Sequence, residues 1–193
     1  MRLVGSRGQQ TDLSYIGLGA NLDHPHFGSP RQTLAAAVAA LQAHGLTIVA
    51  QSSWYESAPV PIADQPWYVN AVVAVRSDLP APTLLQQLHA VEAEFGRVRS
   101  VVNAPRVVDL DLLDCRGEQF SVAAAAESDL QAAAGQIGAA TSLILPHPRM
   151  AERAFVLLPL QEITPNWRHP VSGETVEQML AALGEDRATR LDP

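Results

Sequence analysis

Between residues 96 and 114 the chain reads GRVRSVVNAPRVVDLDLLD, with Arg97, Arg99 and Arg106 ahead of two aspartates one residue apart, Asp109 and Asp111. The aspartates interrupt an apolar run, Val107, Val108, Leu110, Leu112 and Leu113. Alternation with a period of two predicts a strand whose apolar side chains share one face. Both carboxylates then point to the other face, roughly 6–7 Å apart at their Cα atoms. Two negative groups so placed repel unless positive charge lies between them, and a hard divalent cation supplies it. The arginines suit phosphate, which a guanidinium holds through a fork of donors. A carboxylate pair beside arginines is the chemistry of a metal–nucleotide site. Alternating acids also occur on solvated strand faces, and single arginines as surface charges.

Composition narrows the classes. The chain has 193 residues, of which 47% are apolar, enough for one sizeable core. Its formal charge of −7 and pI of about 5.3 argue against a general nucleic-acid or membrane-surface binder. All 13 basic residues are arginine. A Walker A loop, which needs its lysine, is excluded. Cys115 is the single cysteine, so neither an intrachain disulfide nor a cysteine-based zinc site can form. No signal peptide or long uninterrupted apolar span is present, and a cytoplasmic protein is expected.

The elements that must position these residues follow in order. Residues 1–12 read as a loose tail and residues 13–183 as one domain. A strand over 14–18 enters a turn at Gly19, Ala20 and Asn21. Ser29 and Pro30 start a helix that buries Leu34, Val38 and Leu41 and ends at His44–Gly45. A strand is expected over 46–55, then a proline-rich extended loop, then a strand over 67–75 carrying Asn70. A buried amide must find partners, so Asn70 is either a satisfied strand amide or a reader of a ligand edge. Trp54, Tyr55, Trp67 and Tyr68 serve either as strand core or as a stacking surface for a planar heterocycle. A second helix is expected over 78–95, burying Leu84, Leu85, Leu88, Val91 and Phe95, with Glu92 and Glu94 on its surface.

The resulting β-α-β-β-α-β order is the split βαβ pattern of an α+β, ferredoxin-like sandwich: an antiparallel sheet with helices packed on it. Residues 118–143, rich in alanine, are expected to be a partly helical surface excursion. His147, between two prolines, either packs or donates to phosphate with help from Arg153. A short helix over 151–160, a segment packing Trp167 onto the core and a last helix over 173–183 complete the domain. Residues 184–193 read as a second loose tail.

Six ordered segments carry a resemblance: YIGLGAN at 15–21, SSWYESAP at 52–59, DQPWYVNAV at 64–72, GRVR at 96–99, APRVVDLDLL at 104–113 and PHPRMAERAFVLLPLQEI at 146–163. Together they resemble the bacterial 6-hydroxymethyl-7,8-dihydropterin pyrophosphokinase family of folate synthesis. The resemblance implies a ferredoxin-like core with three mobile loops. It implies transfer of the β,γ-diphosphate of ATP to the pterin hydroxymethyl oxygen with two Mg²⁺ ions. By the same resemblance Asp109 and Asp111 are the metal-binding pair. Arg97 and Arg106 stabilise the transferred phosphates. Asn70 reads the pterin edge, Tyr68 and Phe155 lie on its faces, and Ser57, Ala58, Pro59 and Val60 contact it through the backbone. Glu92, Arg99, His147 and Arg153 contact ATP.

A monomer is expected, a homodimer being the other possibility, with ATP and a reduced pterin as partners and neither nucleic acid nor membrane. The chain departs from the family pattern in two places. Ala20 replaces a serine. Val102, Asn103 and Ala104 replace an Arg-Trp-Gly run, with Ser100 at a commonly basic position. A relative that binds pterin or nucleotide without turnover is the alternative that these departures allow.

Overall fold

The computed structural model describes residues 12–62, 64–97, 105–122, 143–184 and 188–191. The strands are β1 (Leu13–Ala20), β2 (Thr47–Gln51), β3 (Tyr55–Ser57), β4 (Tyr68–Arg76), β5 (Asp109–Cys115), β6 (Phe120–Val122), β7 (Leu143–Leu145) and β8 (Ala188–Arg190). The helices are α1 (Pro30–Ala43), α2 (Ala81–Glu94), α3 (Ala154–Ile163) and α4 (Val176–Leu183), with a 3-10 turn, Met150–Glu152, before α3. The main sheet is antiparallel in the order β5-β1-β4-β3-β8. β2 shares the β3 side of β4, pairing with the other half of that long strand. β1 and β2 are therefore parallel with β4 between them, the split βαβ arrangement expected from the element order.

The pleat divides the core in two. Ile16, Leu18, Ala71, Val73, Leu110 and Leu112 pack against α1 and α2. On the other face Tyr15, Val72, Ala74 and Leu113 pack against α3, α4 and Trp167. α1 follows its sequence signals: Ser29 is extended at the cap and Pro30 opens the helix. Leu34, Ala37, Val38 and Leu41 form its buried stripe. The left-handed backbone of Gly45 (φ 87°) then takes the chain out of it. No helix among the described residues is long and apolar enough to cross a membrane.

Several expected boundaries shift. The single strand expected over 46–55 is two strands, because Ser52 interrupts the ladder. Its hydroxyl donates to the Ser53 carbonyl (2.8 Å) and accepts the Val72 N–H (3.0 Å), replacing a regular strand contact. α2 starts three residues later than expected, since the residue before Pro80 is held away from helical dihedrals. Gly19 and Ala20 finish β1 rather than turning, and the chain leaves the strand at Asn21. The ends of the expected partly helical excursion pair as the antiparallel ribbon β6–β7. Its remainder, 123–142, and the N-terminal residues 1–11 lie outside the described residues. In the segment expected to be a loose C-terminal tail, residues 188–190 add a strand to β3.

β5 begins at Asp109, two residues after the expected start, and runs on to Cys115. A bulge interrupts its pairing with β1, where Tyr15 faces Asp114 and Ile16 faces Leu112. The extra residue puts Leu113 and Asp114 on the α3 side together. Asp114 is fully buried. One of its oxygens accepts the Trp167 indole N–H at 2.9 Å and the other the Gly117 N–H at 3.0 Å.

Burial pushes the Asp114 carboxyl above the usual carboxylate range, and the Trp167 and Gly117 bonds pull it back. With the folded value above the unfolded one, ionising Asp114 costs stability as pH rises past about 4. Trp167→Phe removes a donor that favours the charged form. It should cost about 1–3 kcal/mol near neutral pH and less where the carboxyl stays protonated. Urea denaturation at the two pH values checks this.

Candidate active site

One rung of the sheet defines the site. Gly19 of β1 pairs with Asn70 of β4 on one side and with Asp109 of β5 on the other. Directly paired residues of an antiparallel sheet point to the same face, so Asn70 and Asp109 flank a position with no side chain. One rung further, Gly17 stands between Val72 and Asp111. A Cβ on Gly19 would lie 3.5 Å from Asn70 Oδ1, 3.9 Å from Asp109 Cβ and 4.0 Å from a Tyr68 ring carbon. The two glycines thus floor a cavity that any larger residue would begin to fill. Around it stand Ser57, Ala58, Pro59, Val60, Gln65, Tyr68, Asn70, Arg106, Asp109, Asp111, Arg149, Arg153 and Phe155.

Asn70 is oriented by acceptors. Its amide nitrogen donates to Ser57 Oγ (3.0 Å) and faces the Tyr68 and Tyr55 carbonyls (3.3 and 3.4 Å). That leaves its oxygen over Gly19 to accept from a ligand N–H. Tyr68 and Phe155 line the same cavity, and Phe155 also carries the Arg153 guanidinium over its ring at 5.5 Å. Of the four aromatics expected to offer a stacking surface, only Tyr68 lines it. Tyr55 is buried, Trp54 packs on the helix side and Trp67 is exposed.

Asp109 sits between two guanidiniums. Arg106 pairs with its Oδ2, and Arg97 Nη1 lies 2.5 Å from its Oδ1. Asp111 has Arg153 at 3.8 Å. Burial, then the charge on Asp109, raises the Asp111 carboxyl, while His147 and Arg153 oppose the rise. Burial lowers the His147 imidazole, with Asp111 pulling it up. His147 lies in a second, adjoining cavity with His89, Arg97, Leu110 and Pro148; Asp111 and Arg149 line both. Most of the residues named from the sequence therefore line one of two adjoining compartments. One carries Asn70, Tyr68, Phe155, Arg106 and Arg153; the other carries Arg97 and His147. Arg99 lies outside the described residues, as do 98 and 100–104.

Glu92 differs from its expected surface position. It lies on the buried stripe of α2, 1% exposed, and lines neither compartment. Its carboxylate pairs with Arg97 and accepts the Leu110 N–H at 2.8 Å, between the two aspartates. It thus anchors both the arginine and the strand. Glu94 is exposed and pairs with His44.

Asn21, read from the sequence as a turn residue, is a second anchor. Its oxygen accepts the Arg106 N–H (2.8 Å), and its amide donates to Gln65 Oε1 and the Pro66 carbonyl (3.0 Å each). Gln65 and Arg149 were also missed, each by standing next to a residue with a stronger signal.

Among the described residues no group of three or more His, Cys, Asp or Glu could hold a metal by itself. Two carboxylates on one face fit magnesium nonetheless, which is commonly held by one or two carboxylates plus substrate phosphates. Asp109 Oδ1 is buried against the Arg97 guanidinium, an anionic oxygen of the kind a hard cation takes.

Fold and site define a class: an α+β protein with a cavity lined by an amide and aromatic rings beside a compartment of carboxylates, arginines and histidine. A family model, 7,8-dihydro-6-hydroxymethylpterin-pyrophosphokinase (HPPK), matches residues 15–165, and the chain belongs to that family. It is 38% identical over 178 residues to the 2-amino-4-hydroxy-6-hydroxymethyldihydropteridine pyrophosphokinase of Pseudomonas aeruginosa, covering 92% of this chain and 95% of that protein. The protein of the same name from Methylorubrum extorquens is 37% identical over 180 residues, with 93% and 98% covered. A triple mutant of Plasmodium falciparum HPPK-DHPS shares the fold at a TM-score of 0.63 and 12% identity. That match covers 88% of this chain but only 43% of that longer one.

Replacing Glu92 by alanine would leave Arg97 with Asp109 as its remaining carboxylate and the Leu110 N–H without its acceptor. Glu92→Ala should cost about 1–3 kcal/mol. Glu92→Gln, which keeps an acceptor, should cost less; chemical denaturation of both variants checks the order.

Proposed function

We propose that the chain transfers the diphosphate of ATP to 6-hydroxymethyl-7,8-dihydropterin, giving AMP and the pterin diphosphate, a step of folate biosynthesis. The observation that carries this reading is the Asn70–Gly19–Asp109 rung. It sets the Asn70 amide and the Asp109 carboxylate on one face, two strand spacings or roughly 10 Å apart. A bicyclic ring and the start of a phosphate chain fit that span.

In this reading the pterin ring lies between Tyr68 and Phe155, with its polar edge on Asn70 and the backbone of residues 57–60. ATP extends its phosphates over Asp111 toward His147 and Arg153. Asp109 and Asp111 hold magnesium, two ions being expected from the family resemblance. Magnesium held there would neutralise phosphate charge. Arg97 and Arg106, both beside Asp109, would donate to the oxygens of the moving group. The acceptor hydroxyl oxygen attacks the β-phosphorus, the bond from that phosphorus to the AMP oxygen breaks, and the hydroxyl proton is lost. The residues contribute position and charge compensation rather than covalent chemistry. Arg99 belongs to the same phosphate-binding set by resemblance, and Glu92 serves it through Arg97.

The test is product identity. ATP, magnesium and the reduced pterin should together yield AMP, whereas an ordinary kinase would yield ADP. A folded, pterin-binding protein that releases no AMP would overturn the transfer and leave a binding protein. Asp109→Ala and Asp111→Ala should each lower turnover about 100-fold or more. Asn70→Leu should instead raise the pterin KM by about 10- to 100-fold with a small change for ATP, read from initial rates at varied concentrations of each substrate.

A further inference from the structure

We infer that Glu162 is a positioning residue that braces the two walls of the acceptor cavity at a fixed separation. The inference rests on the function proposed above. One wall is β3 with the loop after it, residues 57–60; the other is the start of α3, with Arg153 at its cap and Phe155 in its first turn. Glu162 follows Phe155 by two helical turns, about 10 Å along the same face of α3.

From there its carboxylate reaches the opposite wall. Both oxygens accept the Ser53 N–H at 3.1 Å, one accepts the Ser53 hydroxyl at 2.8 Å and the other the Tyr55 hydroxyl at 3.0 Å. Arg190 of β8 lies 3.8 Å away. Tyr55 pairs across the ladder with Asn70, and Ser57, at the end of the same strand, is the acceptor that orients the Asn70 amide. The brace therefore ends on the rung that reads the ligand.

β3 needs such a tether. It is three residues long, and beyond β4 its one strand neighbour is the equally short β8. A strand with so few ladder bonds opens locally unless side chains hold it. The contact is durable: burial and the Glu162 carboxylate push the Tyr55 phenol up to about 12, so it remains a donor throughout the working range. None of Ser53, Tyr55, Glu162 or Arg190 lines either cavity, so the brace acts through what it holds: Ser57 and Asn70 on one wall, Arg153 and Phe155 on the other. Losing the brace should therefore disturb the acceptor more than ATP, which keeps Arg97 and His147 in the adjoining compartment.

The test compares wild type, Glu162→Ala, Glu162→Gln and Tyr55→Phe by steady-state kinetics and by calorimetry with the reduced pterin alone. Glu162→Ala should raise the pterin KM and Kd about tenfold and raise the ATP KM by a smaller factor. Glu162→Gln should recover part of the loss. Tyr55→Phe, which keeps the ring in the core, should give about a threefold rise of the same kind. Equal rises for both substrates, or an unchanged pterin Kd in folded Glu162→Ala, would overturn the brace. If Glu162→Ala does not fold, an unchanged pterin Kd in Tyr55→Phe overturns it. Failure of the wild type to bind pterin would instead remove the proposed function, a separate outcome.

Discussion

Two carboxylates on one face of β5, partly withdrawn from water, cannot stand without positive charge beside them, and much of the molecule answers that demand. Arg97 and Arg106 meet Asp109, and Arg153 approaches Asp111. Each guanidinium is then held by something else. Glu92 fixes Arg97 from inside α2 and takes a backbone N–H of β5 as well. Asn21 fixes the backbone of Arg106 and, through Gln65, the loop beyond β3. Arg153 lies over the ring of Phe155 at the start of α3. The charges are compensated before substrate arrives, by donors that phosphate can later recruit, and such preorganisation lowers the reorganisation needed during transfer.

The bare floor matters as much as the charges. Gly17 and Gly19 leave two consecutive places on the face without side chains, and the sheet itself becomes the base of the cavity. Were Gly19 a valine, the pleat would fill the space between Asn70 and Asp109, and a side chain at Gly17 would press on Leu113. The helices of the same face cover the half of the sheet carrying Tyr15, Val72 and Ala74 and leave the Gly19 rung open to the cavity. The site is what remains when one face is only half covered.

Much of this could be read from residue order because strands and helices impose fixed periods. The alternation through Asp109 and Asp111, the cap at Ser29–Pro30 and the split βαβ order all rest on local rules. So does the placement of Glu92, had its register been followed: it stands four residues after Leu88 and therefore on the buried stripe. Acidic character suggested a surface position, and the tertiary partner Arg97 made the buried one tenable. What local rules could not supply was pairing across distance. The bulge at Leu113–Asp114, the Ser52 interruption and the addition of β8 to β3 each depend on residues far away in sequence. The family resemblance supplied the acceptor's identity, which neither period nor charge could give.

The same architecture bears on where the chain departs from its family. The departures at residues 100 and 102–104 fall between Arg97 and Arg106, the two arginines of Asp109. Each arginine has an anchor outside that segment. Arg97 is held from α2 by Glu92, and Arg106 is held from the end of β1 by Asn21. Asn21 N–H and Leu22 N–H both also bond the Arg106 carbonyl, at 3.0 and 3.2 Å. The paired charges therefore stand where the sheet sets them. The Ala20 departure lies apart from them, its side chain buried on the α1–α2 face of β1, away from the glycine floor.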